Sequence, residues 1–187
     1  GSMRVQAHSA NSLSVVLEAA REYGAEVRLL DLRRVILPMY VPDETPETEA
    51  VREAAAAVDW ANAFVLATPD YHGSMSGAMK NFLDYFWTEF AGKLFGYVCA
   101  SHEKGLTAMD QMRTAVRQCY GWSLPYGVAV KGDEDADAEG QIVRPAIVKR
   151  LQMLARDLTV YGTLISEQFN RDLASDVSES FVARYRK

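Results

Sequence analysis

The sequence is poor in cysteine: Cys99 and Cys119 are the two it contains. They lack metal-ligand spacing, and two thiols do not make a disulfide framework, so they read as small buried apolar side chains in a reducing cytoplasm. Histidine is scarce too. His8, His72 and His102 all fall in loops without an acidic partner pattern, so no metal site is expected. No Ser-His-Asp or Cys-His arrangement has supporting motif context. No apolar run approaches the length of a transmembrane span, no secretory signal precedes the domain, and no repeat or low-complexity tract is present. An excess of positive charge is also missing. The net charge of −5 and pI near 5.3 argue against nucleic acid or an anionic membrane as the main partner.

What is there describes one globular domain spanning residues 1–187. Its 187 residues, 49% hydrophobic and 24% charged, suffice for a real core and show no sign of disorder. Gly1-Ser2-Met3 resembles a scar of tag removal, so Gly1 and Ser2 are excluded from the fold; residues 163–187 read as a peripheral tail.

The chain is organised around Ala63 to Trp87, AFVLATPDYHGSMSGAMKNFLDYFW. Ala63 to Ala67 is short, apolar and suited to a buried parallel strand. It stops at Thr68-Pro69, and the loop Asp70-Tyr71-His72-Gly73-Ser74 follows. Met79, Phe82, Leu83, Phe86, Trp87 and Phe90 then recur at helical spacing, which predicts a long helix. In an open α/β sheet, ligands sit beyond the carboxyl end of such a strand.

Other elements alternate around this unit. Ser9 to Ser12 supplies helix-start chemistry, with Leu13, Val16, Leu17 and Ala20 as its apolar stripe. Glu26 to Leu32 reads as a strand and Val35 to Pro42 as a loop. A helix is expected from Asp43-Glu44-Thr45-Pro46, with Thr45 as N-cap and Pro46 at the first position, to about Val58. Leu94 to Ala100 is a strand, Ser101 to Gly105 a polar loop, Leu106 to Cys119 a helix and Leu124 to Val130 a strand. Lys131 to Gly140 reads as a solvated acidic loop, and a last helix covers about Arg144 to Val160. Alternating strands and helices imply a parallel sheet wrapped on both faces.

The stretch T-P-D-Y-H-G-S-M-S-G-A-M-K-N-F-L-D-Y resembles the T-P-E-Y-x-x-S-x-x-G-x-x-K-N-x-x-D-W signature of the NAD(P)H-dependent FMN reductase family. Thr68, Pro69, Tyr71, Ser74, Gly77, Lys80, Asn81 and Asp84 match in register. The resemblance implies a flavodoxin-like three-layer sandwich with a central five-stranded parallel sheet. It also implies FMN as cofactor, NADPH or NADH as cosubstrate, and a quinone, azo compound or free flavin as acceptor. Hydride would pass through flavin N5, so no catalytic side chain is expected.

One gap stands in this resemblance. Met3 to His8 is too short for both a central first strand and a phosphate loop of the form G-S-x-R-x-x-S. Either the protein departs from its family here, or a mobile phosphate loop and part of the first strand are missing from the sequence. Omission is the favoured reading, because removing a central strand strips the sheet of its middle and exposes apolar faces.

The implied cofactor residues fall in three groups. Ser9, Asn11 and Ser12 sit at the helix start matching the family's S-x-N-S, where a phosphate is favoured; alone they read equally as a plain N-cap. Pro69, Asp70, Tyr71, His72, Gly73 and Ser74 would lie against the flavin ring. Pro69 fixes the backbone, Gly73 permits close approach, and His72 reads also as a solvent-facing loop residue. Ser101, His102, Lys104 and Gly105 would flank the other side, although the family often carries a glycine-rich sequence there. Lys104 either places positive charge near flavin N1 or is merely exposed.

In the family the helix bearing Lys80, Asn81 and Asp84 packs on another subunit, and its aromatic density exceeds what one buried face would use. A homodimer or homotetramer through residues 75–90 is therefore expected, although Lys80 and Asp84 also read as a surface ion pair. Competing readings are a flavin-dependent dehydrogenase of a small intermediate, a flavodoxin-like interaction module that has lost flavin binding, and, less well matched, an electron-carrying flavodoxin.

Overall fold

The computed structural model describes residues 1–44, 46–175, 180, 181 and 184. Its centre is a parallel pair, β1 (Ala63–Pro69) and β2 (Leu94–Ala100), in register from Ala63 opposite Leu94 to Pro69 opposite Ala100. Helices cover both faces of β2, which explains its unbroken apolar sequence. The next strand position is shared by β3 (Trp122–Ser123) and β4 (Val128–Val130), which both pair with β2. Of the expected strand Leu124 to Val130 only Val128 to Val130 forms, while Trp122 and Ser123, expected in the turn before it, pair with β2; Pro125, which has no N–H for a ladder, lies between the two.

Fewer strands form than the five expected. Glu26 to Leu32 is in no ladder, and no strand precedes α1 (His8–Glu22) among the described residues. Among the described residues no strand lies beside β1 for that second segment to pair with. Part of the free edge of β1 is instead met by Gly1, whose ammonium donates to the Ala67 carbonyl at 2.8 Å. Ser76 Oγ donates to the Gly1 carbonyl, and Ser2 is buried. Gly1 and Ser2, set aside as a scar, are therefore packed into the fold.

Helix α2 (Glu49–Trp60) starts later than expected, with Thr48 Oγ1 accepting from the Val51 N–H at 3.3 Å. Thr45, the expected cap, lies outside the described residues. The carboxyl end of α2 is closed by Lys93, whose buried ammonium donates to the carbonyls of Val58, Asp59 and Ala61 at 2.5, 3.0 and 2.7 Å.

The long helix after the Asp70 to Ser74 loop is also shorter than its periodicity predicts. Helix α3 (Gly77–Asp84) ends before a 3₁₀ turn over Thr88–Phe90. Phe82, Phe86 and Phe90 are buried against one another and against Phe64 and Phe95, so this chain's own core uses most of the aromatic density. Trp87 remains 61% exposed.

Helix α4 (Leu106–Gln118) follows β2, and the short α5 (Gly132–Asp135) follows β4. The acidic loop is thus more than solvated: Asp135, 2% exposed, accepts from the Lys131 N–H at 2.8 Å and from Arg144 Nη1 at 3.1 Å. Helix α6 (Pro145–Ala174) runs well past the expected end at Val160. Residues 163–174 are not mere periphery, because Asn62 Nδ2 donates to the buried Ser166 Oγ at 2.7 Å.

Two cores result. Met79, Phe82, Phe95, Tyr97 and Met112 fill one side of the sheet; Val16, Val98, Val128, Leu151 and Leu154 fill the other, under α1 and α6. Pro69, Ala100 and Val130 lie in register, so the loops after β1, β2 and β4 leave the sheet side by side.

Candidate active site

The first of these loops is a tight reversal. Tyr71 and Ser74 exchange backbone hydrogen bonds of 2.9 and 3.1 Å, and both central residues, His72 (φ 57°) and Gly73 (φ 77°), are left-handed. That is the geometry of a type I′ turn, which a glycine adopts without strain. Asp70 holds it: Oδ1 accepts from the Gly73 N–H at 2.8 Å, and the Asp70 N–H donates to the Ala100 carbonyl at 2.8 Å. Ser74 Oγ donates to Gln111 Oε1 on α4 at 2.7 Å. Tyr71 and His72 stay exposed, Tyr71 by 44%. Below them, Thr68 Oγ1 accepts from the Ser76 N–H at 2.9 Å, and Ser76 caps α3.

The second loop is tied to the first. Ser101 Oγ donates to Asp70 Oδ2 at 3.1 Å and accepts from the Glu103 N–H at 3.1 Å, while the Ser101 N–H donates to the Val130 carbonyl. His102 and Lys104 are exposed. Gly105 turns the chain into α4 with φ 59°, and a Cβ there would lie 2.7 Å from Cys99 Sγ. Burial pushes the Cys99 thiol up to about 12, and the nearby Asp70 carboxylate acts in the same direction.

The third part is the start of α1. Ala7 is its N-cap and supplies no side-chain bond. Asn11 Nδ2 donates to the Gly140 carbonyl and Ser12 Oγ to the His8 carbonyl, both at 2.7 Å, so these groups are already used within the protein. Ser9 differs: it is 1% exposed, yet its Oγ has no partner, and neither has the buried His8 Nδ1. The His8 ring lies against Gly132, where a Cβ would come within 2.3 Å of it, so this helix start abuts the loop after β4.

The structure therefore brings Pro69 to Ser74 and Ser101 to Gly105 together along the rim through the Asp70–Ser101 bond. Ser9, Asn11 and Ser12 lie at the helix start beside the third loop. Sequence reasoning missed the supporting groups Thr68, Ser76, Gln111 and Asp135, whose local sequence carries no motif. It also missed Gly1-Ser2-Met3-Arg4, which fits the G-S-x-R opening of the family's phosphate loop, with Ser9 falling two residues later than that pattern places its serine. An unpaired buried hydroxyl at an uncapped helix start suits an anion such as a phosphate. No group of three or more His, Cys, Asp or Glu side chains among the described residues is placed to hold a metal.

The model for NADPH-dependent FMN reductase matches residues 1–135. An NADPH azoreductase of Bacillus sp. (strain OY1-2) is 33% identical over 141 residues, 73% of this chain and 79% of that protein. An FMN-dependent NADPH-azoreductase of Staphylococcus aureus is 26% identical, over 74% of this chain and 78% of its own length. Among solved structures, the flavoenzyme NAD(P)H:(acceptor) oxidoreductase of Paracoccus denitrificans superposes with a TM-score of 0.74 at 20% identity, covering 88% of this chain and 94% of that one. The chain belongs to the NADPH-dependent FMN reductase family, an FMN-dependent, NADPH-using group of flavodoxin-like oxidoreductases. No helix of the described residues is long and apolar enough to cross a membrane.

Proposed function

We propose that the rim formed by the three loops binds FMN and that the enzyme carries reducing equivalents from NADPH or NADH to a small acceptor. FMN, when bound, supplies a ring that takes up hydride at N5 and yields electrons to the second substrate. The Ser9 hydroxyl would donate to its phosphate at the amino end of α1, where the helix dipole favours negative charge. The loop from Pro69 to Ser74 would present main-chain groups to the ring edge, and the exposed Tyr71 would line the face the nicotinamide approaches. Ser101, His102, Lys104 and Gly105 would bound the opposite edge. No side chain is assigned as acid or base.

The observation that carries this reading is the buried, unpartnered Ser9 Oγ at a helix start that lies beside convergent strand ends. An azo compound is the first acceptor to test, because the Bacillus relative is named for that activity; a quinone and free flavin follow. The test is a titration of the flavin-free protein with FMN, followed by NADPH and NADH consumption with each acceptor. Tight FMN binding with acceptor-dependent nicotinamide oxidation is expected. A protein that binds no FMN, or binds it and oxidises neither nicotinamide, would overturn the proposal.

A cytoplasmic location is proposed on the two unpaired thiols, which suit a reducing compartment. A homodimer or homotetramer is proposed around α3, where Trp87, Ile36 and Met39 leave large apolar surface exposed. Light scattering at micromolar protein distinguishes these assemblies from a monomer.

A further inference from the structure

Among the described residues, the two buried side-chain polar atoms without a hydrogen-bond partner are His8 Nδ1 and Ser9 Oγ, and they belong to adjacent residues. An unpaired buried polar atom is costly and rare, so two in succession mark a place that a further polar group fills. The Ser9 hydroxyl has a role in the FMN reading of the site; the His8 imidazole has none.

Both residues stand at the start of α1, in its first two positions. Side chains lean toward the amino end of a helix, so those of the first turn overhang its start. There the dipole favours an anion, Ala7 supplies no side-chain cap, and the first turn holds no acidic residue. The Ala10 and Asn11 N–H groups both donate to the Ala7 carbonyl at 2.9 Å, so an anion here depends on side-chain donors. Asn11 Nδ2 and Ser12 Oγ are spent on the carbonyls of Gly140 and His8. His8 Nδ1 and Ser9 Oγ remain.

The imidazole is held by the loop after β4. The ring atoms nearest to the place of a Cβ on Gly132 are Cδ2, Nε2 and Cε1, so Nδ1 is the nitrogen turned away from that loop. Of the carboxylates beside Gly132, Glu134 pairs with Lys131 at 3.2 Å and Asp135 with Arg144 at 3.1 Å, which offsets their charge at the helix start. The sequence explains how a histidine comes to stand here. In the pattern G-S-x-R-x-x-S the last serine follows arginine by three residues, whereas Ser9 follows Arg4 by five. The longer spacing places His8 at the first helical position.

We infer that His8 Nδ1 donates a hydrogen bond to the FMN phosphate beside Ser9 Oγ, and that the two together make the site select FMN over riboflavin. This rests on the FMN reading of the site. A phosphate dianion only accepts hydrogen bonds, so it favours the forms of the imidazole that carry a proton on Nδ1. Riboflavin has a neutral hydroxyl in place of the phosphate and forgoes both charge-assisted bonds.

Fluorescence-quench titrations of the flavin-free full chain with FMN and with riboflavin test the inference. The wild type should bind FMN about a hundredfold more tightly than riboflavin. His8→Phe keeps a ring against Gly132 and removes the donor. It should weaken FMN about tenfold and leave riboflavin unchanged. His8→Asn, whose amide N–H stands near the place of Nδ1, should lose less than His8→Phe. In nitrogen NMR spectra of histidine-labelled protein, FMN should shift the His8 Nδ1 resonance, identified by its loss in His8→Phe, further than riboflavin does. Four results would each overturn the role of His8 while leaving FMN binding intact: unchanged FMN affinity in His8→Phe, an equal loss for riboflavin, His8→Asn no better than His8→Phe, or an unmoved Nδ1 resonance. A wild-type protein that binds no FMN would instead overturn this role and the redox reading together.

Discussion

Ser101 and Asp70 fasten two loops of the candidate site to each other: the serine hydroxyl donates to Oδ2 at 3.1 Å while Oδ1 of the same carboxylate accepts from the Gly73 N–H at 2.8 Å. Asp70 is therefore a brace inside the rim, with both oxygens committed within the protein. Its aspartate stands where the family signature has glutamate.

Asp70→Ala leaves two donors without that acceptor and lets the turn at His72-Gly73 relax. Hydrogen bonds to a charged group are worth about 1.5–3 kcal/mol each when well ordered, and the partial exposure here points to a total of about 1–2 kcal/mol. Urea unfolding of the flavin-free protein reads that loss, and FMN affinity should fall about tenfold because the ring loop is no longer held. Asp70→Ala with unchanged stability and unchanged FMN affinity would remove the brace from the account.

Ser9→Ala separates binding from folding. The Ser9 Oγ is buried with no partner, so replacing it with a methyl group should leave the flavin-free protein equally stable or slightly more stable. The same change should weaken FMN by about tenfold if that hydroxyl meets the phosphate. Parallel thermal melts and FMN titrations decide, and an FMN affinity equal to that of the wild type would take Ser9 out of the site.

Two glycines of the rim differ in what they exclude. Gly73 (φ 77°) has open space around its missing side chain, whereas Gly105 (φ 59°) has Cys99 Sγ 2.7 Å from where a Cβ would stand. Gly73→Ala should cost about 1 kcal/mol for left-handed strain alone. Gly105→Ala adds an overlap in a packed core and should cost about 2–4 kcal/mol. Comparable unfolding midpoints for the two variants would contradict this distinction.

The ring-loop unit was legible because its signals are local and covalently adjacent: an apolar run, a proline stop, a glycine-bearing loop and helical spacing. The family motif then fixed its register. Glu26 to Leu32 was misread because strand formation depends on a neighbour that a local pattern does not reveal. The aromatic run after Gly77 misled in another way. Phe82, Phe86 and Phe90 meet one core across α3 and the 3₁₀ turn, so helical spacing survived where the helix did not. Supporting residues such as Gln111 and Asp135 act through contacts distant in sequence or hidden in a charged stretch, and composition gives them no mark. Gly1 to Arg4 did carry a readable pattern, which the scar reading of the first residues concealed.

Alkaline pH probes the buried acids of β2. Burial raises the Cys99 thiol from 9.0 to about 12 and the Tyr97 phenol from 10.0 to about 12. Both groups stay protonated in the folded protein while their unfolded counterparts ionise, so between these values the folded state binds more protons. Stability should therefore be fully present below pH 9 and fall as pH rises toward about 12, the sign expected when a neutral acid is buried. Urea midpoints measured along this range should decline, and Cys99→Ala, whatever its constant packing cost, should make the decline shallower. At pH 8 the native Cys99 thiol should also resist alkylation, because it is buried and almost wholly un-ionised, and it should react once urea unfolds the chain. A midpoint that rises above pH 9, or prompt labelling of Cys99 in the native protein, would show that the space beneath the two ring loops is open to water.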